Sequence, residues 1–311
     1  LHDHEQHAVV YLKGAPEQVI ELCKDQLGKN GESVNLDRAY WIDQIDAIAS
    51  KGQRVLALAV KSMNPTQTVL EHQDLIGSMT LIGMVGMIDP PRTETINAVL
   101  ECAKAGIRVK MITGDHPKTA IAIAKQIGLQ NSNTVLTGTE LEKMDEGALR
   151  KAVMNCDIFA RTSPVHKLKL VMALQENGMI VAMTGDGVND APALKRANAG
   201  IAMGEKGSEA AKESAELVLL DENFASIVEA VREGRTVYDN IKKVISWTLP
   251  TSTGEAMTII LALLMGMTLP ITPIQILWIN LITAATLGIA LAFEPTEPNT
   301  MLRSPRTEKE K

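Results

Sequence analysis

Apolar positions recur with two different periods along this chain. In its middle third, short β-branched or apolar runs, IRVKMIT (107–113), CDIFAR (156–161), MIVAMT (179–184) and AGIAM (199–203), alternate with stretches of helical period, HPKTAIAIAKQIG, HKLKLVMALQENG and APALKRAN. Runs of this length read as buried parallel strands. The stretches between them read as crossover helices, two of which stop at a glycine where a helix C-terminus favours one. Such alternation predicts an α/β fold with a doubly wound sheet. Residues 1–88 read as a separate α+β unit, with strand HAVVYLKG, helix APEQVIELC, a polar loop over 28–36, helix RAYWIDQIDAIASKG and strand RVLALAV. The tandem Pro90-Pro91 of MIDPPRTET can continue neither a strand ladder nor a preceding helix. A hinge and a domain boundary are expected there, with the doubly wound domain over 89–222.

The pattern changes again in the last quarter. VISWTLPTSTGEAMTIILALLMGM (244–267) and ITPIQILWINLITAATLGIALAF (271–293) each reach the roughly 20 residues that a bilayer span needs. Lys242 and Lys243 precede the first run, Arg303 and Arg306 follow the second, and the turn of Thr268, Leu269 and Pro270 is uncharged. This predicts a transmembrane hairpin over 244–293 with both outer ends in the cytosol. A buried helical hairpin of a soluble protein is the alternative. The charged REGRTVYDNIKK then belongs to a stalk helix over 223–243, and 294–311 form a cytosolic tail.

A hydrophobic content of 45% with 22% charged residues describes a foldable chain, and a net charge of −6 argues against nucleic acid as a partner. Cys23, Cys102 and Cys156 are far apart, which suggests neither a disulfide framework nor a zinc site and fits a reducing compartment. The opening LHDHEQHAVVYLKG has no initiating Met and no signal peptide, so the expectation is a truncated piece of a longer protein. His2, His4 and His7 resemble a metal tract but read better as solvated polar strand residues. The 15 methionines read as core and lipid-facing filler.

Two of the central strands end alike, in Thr113-Gly114-Asp115 and in Thr184-Gly185-Asp186-Gly187, as neighbouring parallel strands deliver similar loops to one carboxyl edge. Asp186, Asn189 and Asp190 offer the oxygen ligands suited to a Mg²⁺ that keeps several waters and shares a phosphate. Thr113 and the amides of Gly114 and Asp115 stand at a helix start, where phosphoryl oxygens are favoured. Lys167, opening the next helix, is placed to neutralise developing charge. The set suits phosphoryl transfer, in which positioning and charge stabilisation do most of the catalysis. One such loop alone is an ordinary turn with a helix cap. Within the first apolar span Glu255 is an ionisable group at membrane depth, a functional feature by default. Pro250, Ser252 and Gly254 around it can loosen the helix and free carbonyls. Asn280, Thr283 and Thr286 recur at three-residue spacing near one helix face, although back-bonding to helix carbonyls explains the two threonines equally well.

KGAPE, DPPR, MITGD, FARTSPVHKLK and TGDGVNDAPALK, followed by two apolar spans, resemble the type II P-type cation-transporting ATPases of the bacterial kind. The likeness covers the C-terminal half of the cytosolic headpiece and the fifth and sixth transmembrane helices. It implies a haloacid-dehalogenase-like, Rossmann-like phosphorylation domain, the C-terminal part of a nucleotide-binding domain, and ATP and Mg²⁺ as cofactors. It assigns Asp186 and Asp190 to Mg²⁺ and its support, and Asn189 to the phosphate network. Thr113, Gly114 and Asp115 become phosphate- and metal-positioning residues, and Lys167 serves the aspartyl-phosphate. Lys13, Arg54 and Arg161 match nucleotide-contacting positions, and Glu255, Asn280 and Thr283 match ligands of the transported cation. The implied whole is a multi-pass pump of the plasma (inner) membrane with its headpiece in the cytosol, moving calcium or another small cation. Ala284 stands where calcium and sodium pumps place an aspartate.

The family's phosphorylated aspartate lies in a DKTGT motif, which does not occur in this sequence. Asp89 and Thr93 share its D-x-x-x-T spacing, so a membrane-tethered haloacid-dehalogenase phosphatase is a rival reading. Two prolines directly after Asp89 remove N–H donors that a phosphate needs, which weighs against that assignment. The nucleophile and the first part of the nucleotide domain are therefore expected upstream of Leu1. A nucleotide-binding but catalytically incomplete chain is a third reading.

Overall fold

The computed structural model of the protein describes residues 2–4, 7–63 and 69–306. It separates into two units, Leu1–Leu100 with Val109–Glu222, and Glu101–Arg108 with Asn223–Lys311. Residues 5 and 6 of the histidine tract and 307–311 of the expected tail lie outside the described residues.

The first unit is mixed α/β. Its N-terminal part is a six-stranded sheet of order β1-β2-β5-β6-β3-β4, built from β1 (His2–His4), β2 (His7–Gly14), β3 (Cys23–Leu27), β4 (Ser33–Asn35), β5 (Arg54–Met63) and β6 (Met79–Met87). Alternation on β5 buries Val55, Ala57 and Ala59 against Val19 and Ile20 of α1 (Pro16–Leu22) and Ile45 of α2 (Arg38–Ala49). Asp37 caps α2 by accepting from the Tyr40 amide at 3.0 Å. Two local expectations are corrected here. The helix of APEQVIELC stops at Leu22, because buried Cys23 opens β3 and pairs with Met79 of β6. The polar 28–36 stretch contains β4, which pairs with β3 in the register Asp25 to Asn35.

After the irregular 88–92 segment and α3 (Thr93–Lys104) come β7 (Met111–Ile112), α4 (Pro117–Gln126), β8 (Val135–Thr137), α5 (Gly138–Lys143), α6 (Glu146–Asn155), β9 (Ile158–Ala160) and α7 (Pro164–Glu176). There follow β10 (Ala182–Gly185), α8 (Ala191–Arg196), β11 (Ala199–Met203), α9 (Glu209–Ser214) and β12 (Leu217–Leu219). The strands form two parallel ladders, β7-β9-β8 and β10-β11-β12, rather than one hydrogen-bonded sheet among the described residues. Both expected strands at the join are shortened. β7 begins only at Met111, and the side chain of the preceding Lys110 reaches the Asp157 carboxylate at 2.7 Å and the Cys156 carbonyl at 2.6 Å. Val181 is occupied by Asn198, whose Oδ1 accepts from its amide at 3.0 Å, so β10 begins at Ala182. Ile112 packs against both cores, the one around Phe159 and Leu170 and the one around Leu194 and Ala202.

The second unit is helical. Residues 224–264 make one 41-residue helix, α10 (Phe224–Leu264), about 60 Å long and continuous through Pro250. Asn223 caps its start by accepting from the Ala225 amide at 3.0 Å. The chain turns at Gly266, whose φ of +68° suits a residue without Cβ, and Thr272 and Gln275 cap α11 (Pro273–Thr283) reciprocally. A π-helical turn, Ala284–Gly288, leads into α12 (Ile289–Ala292). Among the described residues, Pro273–Ala292 is the one helical stretch long and apolar enough to cross a membrane. The other expected span, 244–267, occupies the C-terminal part of α10 and carries Thr248, Thr251, Thr253 and Thr258, each of whose hydroxyls donates to a carbonyl one turn back.

Candidate functional site

The 113–115 loop leaves β7 with its backbone tied to the neighbouring strand. Thr113 donates its amide to the Phe159 carbonyl at 2.8 Å, and its own carbonyl accepts from the amide and hydroxyl of Thr162 at 3.2 and 3.1 Å. The Thr113 hydroxyl accepts from the Asp115 amide and donates to Asp115 Oδ2, both at 3.1 Å. That amide, expected to face a phosphate, is thus engaged inside the loop, while Gly114 is exposed. His116 caps α4, its Nδ1 accepting from the Lys118 amide at 3.3 Å. Burial is the main cause that pushes its imidazole below the ordinary 6.5, with Arg161 and Lys118 adding to it against Glu17 and Asp46.

Beside the loop lies a cavity of about 100 Å³ whose lining includes Arg54, Gly114, Asp115, His116, Thr119 and Arg161. Arg54 opens β5 and holds its Nε 3.5 Å from Asp115 Oδ1. Arg161 has a φ of +53°, a conformation that costs a non-glycine residue on the order of 1 kcal/mol or more. Its amide donates to the Asp115 carbonyl at 3.3 Å, and its carbonyl lies where a Cβ on Gly138 would come within 2.3 Å. Its guanidinium donates to Glu17 Oε1 at 2.7 Å. Lys13 is exposed on β2, opposite Leu58, and does not line the cavity. Glu17 and His116 went unnoticed in the sequence as site residues. Their only signals were their positions, the end of KGAPE and the residue after TGD.

The second loop hangs from β10. Asp190, 5% exposed, accepts from Lys167 Nζ on Oδ1 at 2.5 Å and from the Gly187 amide on Oδ2 at 3.3 Å. A Cβ at Gly185 would stand 2.6 Å from that of Asp190, so this close approach requires glycine. Asp186 and Asn189 are exposed, with the Asp186 carbonyl accepting from the Ser208 amide at 2.8 Å. Among the described residues no three His, Cys, Asp or Glu side chains make a cage for a metal. Mg²⁺ takes one or two carboxylates and completes its shell with water and phosphate. The exposed oxygens of Asp186 and Asn189 fit that demand, whereas Asp190 is already engaged with Lys167 and the loop.

In the second unit, Asn280 Nδ2 donates to Glu255 Oε2 at 3.1 Å, joining α11 to α10. Thr283 is half-buried at the end of α11, directly before the π-helical turn. The Thr286 hydroxyl donates to the Ile282 carbonyl at 2.7 Å, the local back-bond that the sequence left open for it.

Residues 1–94 match the family described as "P-type ATPase, cytoplasmic domain N", and 268–311 match "Cation transporting ATPase, C-terminus". The chain is 46% identical to "Cation-transporting ATPase pma1" of Synechocystis sp., over 100% of this chain and 34% of that protein. It is 48% identical to "Probable cation-transporting ATPase F" of Mycobacterium tuberculosis, over 96% of this chain and 34% of that one. It is 44% identical to "Calcium-transporting ATPase 1" of Bacillus cereus, over 100% of this chain and 35% of that one. The chain therefore spans about a third of the length of the curated relatives it matches.

Removing one member of a buried ion pair leaves the other charge uncompensated. Lys167→Met is expected to lower unfolding stability in urea by about 3 kcal/mol, and adding Asp190→Asn to recover roughly half of that. The His116 value is depressed, so its neutral form contributes stability that is present above the ordinary 6.5 and lost as pH falls through the folded value. Urea midpoints followed from about pH 7.5 to about pH 5 are expected to fall less steeply in His116→Gln than in the parent chain.

Proposed function

We propose, from the premise that this chain is a portion of a P-type cation-transporting ATPase, that it carries the nucleotide- and phosphate-handling groups of an ATP-driven cation pump together with part of its ion path. The observation that carries the reading is the cavity in which Arg54 and Arg161, nearly 110 residues apart by number, meet the 113–115 loop. Residues 89–222 would be a doubly wound, haloacid-dehalogenase-like phosphorylation domain. Residues 1–88 would be the end of a nucleotide domain, 223–243 a stalk, 244–293 a transmembrane hairpin and 294–311 a cytosolic tail. The protein would be a multi-pass protein of the plasma (inner) membrane.

In this reading Arg54 and Arg161 bind nucleotide phosphates, with Lys13 at the edge of the nucleotide site. The Thr113 hydroxyl orients Asp115, and the exposed amide of Gly114 faces the transferred phosphoryl group. Asp190 holds the Lys167 ammonium in place beside the acyl phosphate that an aspartate elsewhere in the pump would form. Mg²⁺ held by Asp186, with Asp190 supporting and Asn189 on the phosphate, would neutralise charge between the reacting oxygens. Phosphorylation and hydrolysis would then drive the pump between two states that expose the membrane site to opposite sides. The transported cation, calcium or another small ion, would meet Glu255, Asn280 and Thr283. The Glu255–Asn280 hydrogen bond supports that pairing.

Calorimetric titration of this chain with ATP tests the nucleotide site. Arg54→Ala is expected to weaken binding about tenfold, the loss of roughly one charge-assisted hydrogen bond. No acid-stable phosphate is expected on this chain from labelled ATP; label on Asp89 would favour the tethered phosphatase instead. In the full-length pump, Glu255→Gln is expected to abolish most cation-stimulated ATP turnover, and unchanged stimulation would remove Glu255 from the ion path.

A further inference from the structure

The cavity beside the 113–115 loop holds about 100 Å³, well short of the roughly 300 Å³ or more of ordinary small-molecule pockets. Its cations are engaged by carboxylates of the chain itself. Arg161 Nη2 donates to Glu17 Oε1 at 2.7 Å, and His116 Nε2 stands 3.7 Å from the same oxygen. Arg54 Nε lies 3.5 Å from Asp115 Oδ1, and outside the cavity lining Lys118 Nζ lies 2.5 Å from Asp46 Oδ2 across α4 and α2. Glu17 sits in the first turn of α1 and draws Arg161 toward the N-terminal sheet; its second oxygen, Oε2, is buried without a hydrogen-bonding partner. Arg161 reaches it from a backbone held at positive φ by the Asp115 carbonyl and by the space left at Gly138.

We propose that Glu17 is an internal anion that occupies Arg161 in the nucleotide-free chain and has to be displaced by an incoming phosphate. Glu17 is then a positioning residue, acting on the nucleotide only through Arg161. The inference rests on the reading that Arg161 contacts nucleotide. A phosphate group offers the guanidinium several acceptor oxygens in bidentate geometry, where Glu17 engages it through Oε1 alone. The exchange therefore proceeds, but the fraction of molecules with Arg161 engaged lowers the apparent affinity by that fraction.

Calorimetric titration with ADP decides it, using the 311-residue chain in detergent as wild type, Glu17→Gln, Arg161→Gln and the double variant. Glu17→Gln is expected to bind ADP about three- to tenfold more tightly, a gain that disappears when Arg161 is already Gln. Glu17→Asp, which keeps the charge, is expected to stay closer to wild type than Glu17→Gln does. Should the glutamine variant fail to fold by circular dichroism, Glu17→Ala carries the same expectation. ADP binding by the wild type with no gain in the variant overturns the displacement while leaving the nucleotide site standing. Absence of binding in wild type and Glu17 variants alike instead removes the nucleotide reading on which it rests.

Discussion

In the register that sets Ile112 beside Phe159, Thr113 gives its amide to the Phe159 carbonyl, and the neighbouring strand leaves as Arg161 and Thr162 at the same edge. Thr162 returns two hydrogen bonds to Thr113, and Arg161 donates to the carbonyl of Asp115. Two loops some 50 residues apart are thereby locked as one surface. A slip of one residue in this pair would send every side chain to the opposite face and separate Arg161 from the 113–115 loop. The paired stretch is only two to three residues long, so it depends on the packing beneath it. Phe159, 1% exposed, and Leu170 supply that packing, with Ile112 tying it to the core of the second ladder.

Charge inside this unit is handled by close pairing rather than by exclusion. Asp157, fully buried, meets Lys110, and Asp190 meets Lys167. An isolated carboxylate in such positions would be strongly unfavourable, while a matched pair approximately recovers its desolvation and specifies geometry. The two pairs differ in consequence. Lys110 and Asp157 tie together the residues just before β7 and β9, whereas Lys167 and the glycine-dependent approach at Gly185 hold the loop that presents Asp186 and Asn189 to solvent.

The helical unit follows another logic. The polar residues of α10 near its middle turn to the end of α12 and the chain that follows it. Asn240 donates to the carbonyls of Ala292 and Glu294, and Arg235 to those of Thr300 and Arg303. Lys243 lies between Glu294 and Glu297, which raise its pKa, and the Arg303 guanidinium holds Asp239 below the usual carboxylate range. The Asn240 bond to Ala292 satisfies a carbonyl at the end of α12, where a helix otherwise leaves it open. Further along, the Asn280 side-chain amide donates to the Glu255 carboxylate and links the two apolar runs.

What the amino-acid sequence determined by itself is what local periodicity and short motifs encode. AGIAM stands as β11 over the full expected range, HAVVYLKG as β2, and the helices of the central region begin within a residue or two of their Pro or polar starts. The clustering of Asp186, Asn189 and Asp190 was likewise legible, because residues adjacent in sequence share one loop whatever the fold does. Tertiary structure alone decided that Cys23 leaves its helix to pair with Met79, that Lys110 meets Asp157, that Asn198 occupies the amide before β10, and that Asp190 faces Lys167. It also decided that Glu17 reaches Arg161, 144 residues away. Each of these depends on a partner distant along the chain, and a hydrogen bond or ion pair between distant residues leaves no period in the local sequence. Only the packing that brings both ends together creates it.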